Sequence, residues 1–447
     1  MAWPAVPADI PAQILALQQQ FAQSERWPPE HLARHQFRQL THLVAHAYDK
    51  IPLYRARLTA LEYRHGQEIT PEFWTRLPVL TRREVQNQGA AIMTRDVPAT
   101  HGRILSNATS GSTGTPLQVL TTELAQLIWH AITLRQQFWH KRDLRLKFAS
   151  IRRDHDNRAF PPDGKPFRDW AMPEGVVYPT GPACLLDNRC TPQEQAEWLR
   201  REEPDYLLTF PSIAEELARY CLEHGLHLER LKDIATLGEV VTPRARRACR
   251  EAFGVEIADM YSANETGYLA LQCPIEEHYH VQSESVLLEV LDEAGRPCRP
   301  GETGSVVVTP LHGFAMPLLR YAIGDFALVG GGPCACGREL PVLKEILGRA
   351  RDTVMLPSGT RRYAWFGMRR FAAIPQIVQF QLVQRTLYDL EVKLVTRGTL
   401  APETEEKIRQ DLRKALGEHF SVLLTYHDEI PRAASGKYFD FLSEVPG

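Results

Sequence analysis

Short apolar segments alternate with helical ones in the middle of the sequence, and this alternation constrains the fold more than any other feature. The helical patterns PSIAEELARYCLEHG and TPRARRACREAFG separate three apolar runs, PDYLLTF, DIATLGE and EIADMYS. Strands that alternate with helices of this length form βαβ units, in which the strands lie parallel and the helices pack on the sheet. The sequence therefore predicts an α/β fold with largely parallel strands.

The rest of the chain predicts further units. Residues 273–310 carry period-two patches separated by Gly/Pro turns, which indicate antiparallel strands in a small sheet or barrel. A new unit begins near Gly348, with two strand-like segments, a charged helix over 402–419 and a last strand at SVLLTYHD. We predict a large N-terminal domain over residues 1–347, with mostly parallel sheets, and a small mobile α+β domain over 348–447.

Helical patterns precede the α/β region. Apolar residues recur at three- and four-residue spacing from about Pro11 to Leu61, a periodicity typical of helices packed on a core. Farther on, Thr81 precedes a helical segment and Glu84 follows three residues later, which is the spacing of a capping box.

Composition and charge exclude several classes of protein. The chain has 447 residues, 44% of them hydrophobic, enough for a large core and more than one domain. Its 52 Lys and Arg against 54 Asp and Glu leave a net charge of -2. Because the basic residues are also scattered, no nucleic-acid partner is expected. No signal peptide or membrane-spanning stretch is recognisable, which favours a cytoplasmic protein without a membrane partner.

The eight cysteines of a chain with no mark of secretion favour reduced thiols or metal ligands over disulfides.

The segment SNATSGSTGTP, residues 106–116, has the composition of a phosphate-binding loop. Thr115 stands where a Walker loop would carry its lysine, so the chain is not a P-loop nucleotidase. Taken alone, such a Ser/Gly run is more often a hydrophilic turn, and other motifs must decide its role.

Six motifs indicate the role of this segment, because they occur in the order found in adenylate-forming acid ligases. They are TSGSTGTP, LGE, YSANETG, RYAIGD, GRARD and PRAASGK. The amino-terminal helices, the segment LPVLTRREV and the segment CACGRELPVLKEILGR extend the resemblance to nearly the whole chain. The sequence most closely resembles the phenylacetate-coenzyme A ligase-like branch of that superfamily.

The resemblance implies an enzyme that uses ATP and Mg²⁺ to convert a carboxylic acid into an acyl-adenylate, with coenzyme A as the expected acceptor. Attack of a carboxylate on the α-phosphate brings two anions together, so the site needs cations and N–H donors. By position, Glu265 would hold Mg²⁺, since carboxylate oxygen suits a hard cation. The β- and γ-phosphates would lie against the loop residues Ser110, Gly111, Ser112, Thr113 and Gly114.

The same resemblance assigns the nucleoside. Gly238 and Glu239 would lie against the adenine, Tyr261 would stack on it, and Asp259 would lie near its amino group. The Asp325 carboxylate would accept hydrogen bonds from the two ribose hydroxyls.

Two cations complete the implied site. Lys437 would reach from the C-terminal domain and bridge the attacking carboxylate and the phosphate, and Arg349 would lie near the ribose and phosphate. The sequence departs from the family pattern at Asn264, where Thr is usual and an amide still offers a donor to phosphate. It also carries Arg351 at the position of the domain hinge, where Asp or Lys is common. The two-conformation mechanism of the family, in which the C-terminal domain rotates, is still expected.

A second cluster has the composition of a structural zinc site. Cys273, His280, Cys334 and Cys336 surround the predicted antiparallel region, and two or more thiolates with imidazole form closed tetrahedral zinc sites. His278 could replace His280, and reduced cysteines beside a surface histidine are the alternative. Some relatives in this branch carry a similar set.

The acid pocket is expected beside the helix that follows the phosphate loop. Its candidates are Trp129, Phe138, Trp139, Phe210, Ala263 and Met316. Such an aromatic wall would suit an aryl or arylacetic acid, although aromatic residues at helical spacing more often form a core. Arg152, Arg153 and Arg158 follow in the chain and could pair with a polar acid or with coenzyme A phosphates, but a solvated loop is the simpler interpretation.

Three functions follow from this resemblance. The first is an acid–thiol ligase that makes an acyl-coenzyme A, with release of AMP and pyrophosphate. In the second, the adenylate passes to an amine or to a separate carrier protein. The third is a catalytically inactive nucleotide-binding protein, against which the intact Glu265, Asp325, Arg349 and Lys437 argue. The sequence is compatible with an oligomer.

Overall fold

Helices form the amino-terminal part of the chain. The computed structural model describes residues 8–108, 118–349, 353–359, 361–363, 374–431 and 438–445. It begins with the helices α1 (Asp9–Ser24), α2 (Pro29–Lys50), α3 (Pro52–Ala60), α4 (Pro71–Arg76) and α5 (Arg82–Gln88). Two short 3₁₀ turns, Gly89–Ile92 and Ala99–His101, follow.

The middle of the chain forms an α/β layer structure. Its helices are α6 (Glu123–Trp139), α7 (Glu174–Val177), α8 (Pro192–Glu202), α9 (Pro211–Glu223) and α10 (Pro243–Phe253). Its strands are β1 (Ile104–Ala108), β2 (Gln118–Thr122), β3 (Phe148–Arg152), β4 (Lys165–Phe167), β5 (Ala183–Asp187), β6 (Tyr206–Thr209), β7 (Asp233–Leu237), β8 (Ile257–Ala263), β9 (Gly267–Gln272), β10 (Tyr279–Val281), β11 (Val286–Leu291), β12 (Thr303–Pro310), β13 (Tyr321–Val329) and β14 (Val342–Arg349).

Twelve of these strands form one continuous sheet in the order β11-β12-β13-β14-β10-β9-β8-β7-β6-β3-β5-β4. The strands β8, β7, β6, β3 and β5 are parallel neighbours, as the βαβ pattern predicted. From β8 to β11 the pairing is antiparallel, as it is at the edge strand β4. The α/β class is therefore confirmed, and the predicted antiparallel region joins the parallel strands edge to edge within this sheet.

Helices cover both faces of the parallel half of the sheet. On one face α8, α9 and α10 bury a cluster that includes Trp198, Leu217 and Cys249. On the other face α1 and α6 contribute Phe21 and Ile132 to a second cluster. Strands that are buried on both faces have continuous apolar sequences, which explains the apolar runs at β6, β7 and β8.

The other amino-terminal helices pack against the antiparallel half. Leu43 of α2, Tyr54 of α3 and Trp74 of α4 are buried with Val306 and Tyr321 of the strands β12 and β13. The helical periodicity of the first sixty residues thus serves a core, as expected.

Side-chain caps fix several helix starts. Thr81 accepts a hydrogen bond from the Glu84 amide, while the Glu84 carboxylate accepts from the Thr81 amide at 2.8 Å, which confirms the predicted capping box. Thr191 and Glu194 form a second box at α8. Each box satisfies amides that the first turn of a helix leaves without an intrahelical partner.

The C-terminal unit forms its own sheet. The strands β15 (Thr353–Met355) and β16 (Arg361–Tyr363) pair with each other. Then β17 (Ile377–Gln384), β18 (Asp389–Thr396), β19 (Ser421–Tyr426) and β20 (Phe441–Ser443) form a four-stranded sheet in the order β19-β18-β17-β20, with helix α11 (Pro402–Leu416) packed against it. The two strands, the charged helix and the last long strand predicted from sequence are confirmed.

Two arginines join the C-terminal unit to the α/β layer. Arg244 of α10 donates to the carbonyl oxygens of Ile377 and Val378 at 2.9 and 2.8 Å. Arg219 of α9 donates to the same Val378 carbonyl at 3.3 Å. These contacts reach the first residues of β17 and therefore hold the start of this strand near the two helices.

Two further findings concern the cysteines and the helices. All eight cysteines are free, so none is a disulfide partner. None of the helices in the described segments combines the length and the apolar character that crossing a bilayer requires.

Arg320 ties the amino-terminal helices to the antiparallel strands. It is only 3% exposed. Its guanidinium donates to the Glu289 carboxylate at 3.0 Å and to the carbonyl oxygens of Thr75 and Leu77 at 2.9 and 2.6 Å. Its carbonyl accepts from the Leu80 amide at 2.8 Å. One buried side chain therefore fixes the segment that leads into α5.

We expect Arg320→Met to lower the free energy of unfolding by about 3–5 kcal/mol, because it leaves the largely buried Glu289 carboxylate without its cation and two carbonyl oxygens without their donor. Urea unfolding followed by tryptophan fluorescence measures the loss. Arg296→Met is the matched control, since Arg296 pairs with Asp292 at the surface and such pairs contribute about 0–1 kcal/mol. Equal losses in the two variants would contradict the structural role of Arg320.

Candidate functional site

The parallel strands end at a common edge, and several predicted site residues lie there. Leu237 pairs with Met260 across β7 and β8, and Thr209 pairs with Thr236 across β6 and β7. The residues that follow these strands therefore meet at one edge. Among them are the predicted Phe210, Gly238 and Glu239, and the predicted Ala263 is the last residue of β8. In open α/β sheets the carboxyl edge of the strands is where ligands bind.

Tyr261 and Asp325 form a pair beside this edge. The Tyr261 hydroxyl donates to the Asp325 carboxylate at 2.6 Å, and both residues are buried. Asp325 also pairs in register with Arg349 across β13 and β14. The structure thus brings together the residues that the sequence assigned to the adenine and to the ribose, with the backbone of Arg349 next to them.

Asp259, predicted to lie near the adenine amino group, is buried within the sheet. Its two carboxylate oxygens accept from the Thr236 hydroxyl at 2.6 Å and from the Tyr279 hydroxyl at 2.8 Å. Burial raises the pKa of this carboxyl, and the two hydrogen bonds oppose the rise. Both oxygens are thus engaged within the sheet, and this carboxylate fixes β7 against β8 and β10.

The Glu239 carboxylate joins the two parts of the chain. It accepts from the backbone amide of Ser212, at the start of α9, at 3.1 Å. It also accepts from the backbone amide of Tyr438 at 3.0 Å. Tyr438 directly follows Lys437, the predicted catalytic lysine, in the sequence. The contact therefore anchors the segment that follows Lys437 to Glu239, a residue of the predicted adenine motif.

Glu265 is paired with an arginine that sequence reasoning missed. Arg82 of α5 donates to the Glu265 carboxylate at 3.1 Å, and the Glu265 side chain is 6% exposed. The two residues are 183 positions apart, so no local pattern could have paired them. The capping box at Thr81 was the available signal, because it placed Arg82 in the first turn of α5. Asn264, beside Glu265, is exposed.

The candidates for the acid pocket lie on different faces of the fold. Phe210 packs in the cluster under α8 to α10, and Met316 packs in the cluster under the amino-terminal helices. Ala263 is half-buried, and Phe138 is 41% exposed. Trp129 of α6 packs against Tyr268, with ring centroids 4.9 Å apart. The structure therefore does not gather these residues into one wall.

Trp139 lies at the far end of α6, about 15 Å from Trp129 at the rise of an α-helix. Its indole nitrogen donates to the Glu25 carboxylate at 3.0 Å, and the Arg338 guanidinium lies 4.1 Å from its ring centroid. It also packs edge-on against the ring of His280. Its contacts thus join α6 to the loop before β14, and the structure separates Trp139 from the strand ends where the other predicted residues meet.

The predicted zinc ligands converge, and His278 joins them. The ligand atoms of Cys273, His278, His280 and Cys334 all lie within 4.8 Å of one another. The Sγ atoms of Cys273 and Cys334 are 3.6 Å apart, and Cys336 Sγ lies 3.2 Å from His280 Nε2. Nε2 of His278 is buried and has no hydrogen-bond partner in the described residues.

The spacing of these atoms fits a tetrahedral zinc ion. Two thiolates at the usual zinc–sulfur distance of about 2.3 Å lie roughly 3.8 Å apart, and a thiolate and an imidazole lie roughly 3.5 Å apart. The observed 3.6 and 3.2 Å are close to these values. The Leu340 carbonyl oxygen lies 3.4 Å from His280 Nδ1, so it orients the ring with Nε2 toward the cluster.

Several predicted residues lie outside the described part of the chain. They are the loop residues Ser110, Gly111, Ser112, Thr113 and Gly114, the hinge residue Arg351 and the lysine Lys437, together with the side chain of Arg349. Their roles stay predictions.

Removal of the Glu239 carboxylate should loosen the segment after residue 437. In Glu239→Ala the Tyr438 amide loses a charged acceptor, so we expect hydrogen exchange over residues 438–445 to accelerate about 10-fold or more. Mass spectrometry of peptic fragments measures the change. Glu251→Ala, which removes an exposed carboxylate of α10, is the control. Identical exchange in both variants would show that Glu239 does not anchor this segment.

Two family models match this chain. The model described as AMP-binding enzyme matches residues 104–312, and the model of the CapK C-terminal domain matches residues 368–442. A phenylacetate-coenzyme A ligase of Thermus thermophilus is 26% identical over 460 residues, covering 92% of this chain and 96% of the relative. A phenylacetate-coenzyme A ligase of Pseudomonas putida is 23% identical over 336 residues, which cover 73% of this chain and 72% of the relative.

Solved structures share the fold. A 2-hydroxyisobutyryl-CoA ligase in the postadenylation state superposes with a TM-score of 0.74 at 19% identity, covering 95% of this chain and 92% of that chain. The same kind of ligase in its thioesterification state gives 0.61 at 18% identity, with the same coverage. An anthranilate CoA ligase gives 0.54 at 16% identity, covering 75% and 65% of the two chains. The AMP-binding enzyme model over residues 104–312 and the two relatives together show that the chain is an adenylate-forming, AMP-forming ligase similar to phenylacetate-coenzyme A ligases.

Proposed function

We propose that the protein uses ATP to activate a carboxylic acid as an acyl-adenylate and then forms an acyl-coenzyme A thioester, with release of pyrophosphate and AMP. The contact between the Tyr438 amide and Glu239 supports this proposal most directly. It joins the segment next to Lys437 to the carboxyl edge of the parallel strands. An adenylating site built from two parts of the chain needs such a junction.

The nucleoside would lie between the ends of β7 and β8 and the strand β13. The bond from the Tyr261 hydroxyl holds the Asp325 carboxylate in one orientation, so a ribose would meet an acceptor that is already positioned. Such preorganisation lowers the entropy cost of binding. Asp259 would support the adenine indirectly, by fixing the strands on either side.

Glu265 fits the role of magnesium ligand in its chemistry. It is an almost buried carboxylate with a cation, Arg82, already at 3.1 Å, and carboxylate oxygen is what Mg²⁺ prefers. Bound there, Mg²⁺ would neutralise charge on the ATP phosphates. Arg82 would then face the same phosphates and add a fixed positive charge beside Glu265.

Lys437 and Arg349 would supply the other positive charges at the reacting atoms. The carboxylate oxygen attacks the α-phosphorus, the bond to pyrophosphate breaks, and negative charge grows on the atoms between them. A lysine placed against that charge stabilises the transition state more than the ground state.

Coenzyme A is the acceptor that the similarities favour. The relatives and the solved structures bear the names of coenzyme A ligases, and none of these names points to an amine or a carrier protein. The thiol sulfur would attack the acyl carbon, and AMP would leave with one of the original carboxylate oxygens.

An aromatic or arylacetic acid is the substrate class we propose. The names of the two phenylacetate-coenzyme A ligases support it, as does Trp129 beside β9. A Cβ added at Gly267 would lie 3.7 Å from the Trp129 ring, so this indole stands close to the strand that follows Glu265.

The C-terminal unit would rotate between the two steps. The higher TM-score against the postadenylation structure, 0.74 against 0.61, supports a first arrangement in which Glu239 and Arg244 hold this unit. Rotation about the predicted hinge at Arg351 would break those contacts and open a path for coenzyme A.

We propose further that the cluster around Cys273 binds one structural Zn²⁺. The ion would hold the turn after β9 against the loop before β14, next to the Trp139, Arg338 and Glu25 contacts. Cysteine and histidine side chains would supply its ligands, and the ion would have no catalytic role.

Substitution of Lys437 tests the adenylation step. Lys437→Ala should lower acid-dependent exchange of pyrophosphate into ATP by about 100-fold or more, since one charge-stabilising donor is typically responsible for an effect of that size. Lys407→Ala, at an exposed position of α11, is the control and should exchange normally. If Lys437→Ala also exchanges at the normal rate, the assigned role is wrong.

Metal analysis tests the zinc site. Protein purified without chelator should carry about one zinc per chain, and Cys273→Ser should carry less than about a tenth, because a tetrahedral site loses one of its ligands. Cys298→Ser, at a cysteine outside the cluster, should keep the metal. Wild-type protein with less than about a tenth of an equivalent would remove the site.

A further inference from the structure

Arg244 of α10 is held in one orientation by Glu215 of α9. Its Nε donates to one carboxylate oxygen of Glu215, and the Thr242 hydroxyl donates to the other at 3.3 Å. The Glu215 side chain is only 12% exposed, so this ion pair is largely shielded from water. The two terminal nitrogens of the guanidinium are directed away from α9, toward the start of β17.

A β-bulge at Val378 presents two consecutive carbonyl oxygens to this guanidinium. The strand pairs on either side of the bulge are Ile377 with Thr396 and Gln379 with Val395. Val378 is therefore an extra residue in β17. In a regular strand consecutive carbonyl groups point to opposite edges, so one guanidinium could not reach both. The bulge turns them to one side, where Nη1 donates to Ile377 at 2.9 Å and Nη2 donates to Val378 at 2.8 Å.

One face of α9 extends this contact. Side chains three or four positions apart on a helix share a face, and three such side chains of α9 reach the residues that begin the β17–β18 hairpin or follow it. The contacts are Arg219 with the Val378 carbonyl at 3.3 Å, Glu216 with the Gln379 side-chain amide at 3.4 Å, and Glu223 with Arg397. The first turn of β17 therefore meets a surface of alternating charge.

The junction between these helices and the C-terminal sheet is polar. Among the described residues, the buried apolar cluster under α8 to α10 includes none from the C-terminal unit, and the cluster of the C-terminal sheet includes none from α9 or α10. Separation of the two surfaces would expose little apolar area, and water would replace the hydrogen bonds that are lost. A junction of this kind suits repeated opening and closing.

We infer that Arg244 and the bulge at Val378 form a clasp that sets how the protein divides its time between the two steps of its reaction. This inference rests on the proposed function and adds a regulatory contact to it. With the clasp closed, the segment after Lys437 lies at Glu239, in the arrangement proposed for adenylation. With the clasp open, the C-terminal unit is free to rotate for the attack by coenzyme A. Arg244 is thus a positioning residue, which acts through the placement of Lys437.

Separate measurements of the two half-reactions test the clasp. Adenylation is followed by pyrophosphate exchange with phenylacetate, benzoate or hexanoate, whichever the wild type uses best. Thioester formation is followed from coenzyme A and the preformed acyl-adenylate of the same acid. Arg244→Met should lower the kcat of exchange by about 10-fold or more, the effect of losing a charge-assisted hydrogen bond, with the KM of the acid unchanged. Its rate of thioester formation should equal or exceed that of the wild type.

Hydrogen exchange tests the clasp without any substrate. The Tyr438 amide is bound to Glu239, so it is released whenever the clasp opens and the C-terminal unit moves away. Exchange over residues 438–445 should therefore accelerate by about 10-fold in Arg244→Met. A purely local loss of hydrogen bonds at the start of β17 would leave these residues unchanged.

Two further variants serve as controls. Arg247→Met removes an exposed arginine from the same helix and should alter neither the half-reactions nor the hydrogen exchange. Arg244→Lys should recover part of the adenylation rate, because an ammonium keeps the charge but lacks the fork that spans two carbonyl oxygens. Thermal unfolding establishes that each variant is folded.

The outcomes separate the two claims. An equal fall in the rates of both half-reactions in Arg244→Met, or exchange over residues 438–445 identical to that of the wild type, would overturn the clasp alone. Failure of the wild type to adenylate any acid of a broad panel would overturn the proposed function and the role of the clasp within it. Hydrogen exchange would in that case still show whether Arg244 holds the C-terminal unit.

Discussion

Two backbone amides converge on the carboxylate of Glu239, and the composite site depends on this convergence. One amide begins α9 in the α/β layer, and the other belongs to Tyr438 in the C-terminal unit. A carboxylate with two N–H donors holds both segments with charge-assisted bonds. Glu239 therefore joins the two parts of the chain at the edge of the sheet, where the proposed chemistry takes place.

The positive charge of the proposed site also comes from separate segments of the chain. The loop at 106–116 carries no lysine, so positive charge must come from other segments. Arg82 already stands against Glu265, and Lys437 belongs to the segment that Glu239 anchors. In the proposed rotation, the C-terminal unit would carry Lys437 away from the nucleotide after adenylation, whereas Arg82 would stay in place. The contacts of Arg244 with the start of β17 would be broken in the same movement.

The sequence was sufficient for the elements and for the family, because both depend on local pattern. Continuous apolar runs identified β6, β7 and β8, and the Thr81 box identified the start of α5. Long-range pairs could not be predicted. Arg82 and Glu265 meet across 183 positions of sequence, where Arg320 fixes the chain before α5 against the start of β13. Trp139 fitted a helical stripe as well as Trp129 did, and only the fold separates the two ends of α6. The sequence offers His278 and His280 as alternatives, since spacing along the chain cannot tell which side chains share a cluster.

The fate of the carboxylate oxygen tests the central claim most directly. The acid that supports pyrophosphate exchange is labelled with ¹⁸O in its carboxylate and incubated with ATP and coenzyme A, and the products are analysed by mass spectrometry. An acyl-adenylate requires one labelled oxygen to appear in AMP, because the bond between that oxygen and the α-phosphorus persists when the thiol displaces AMP. Label in inorganic phosphate, or thioester formation with unlabelled AMP, would contradict adenylation as the activating step.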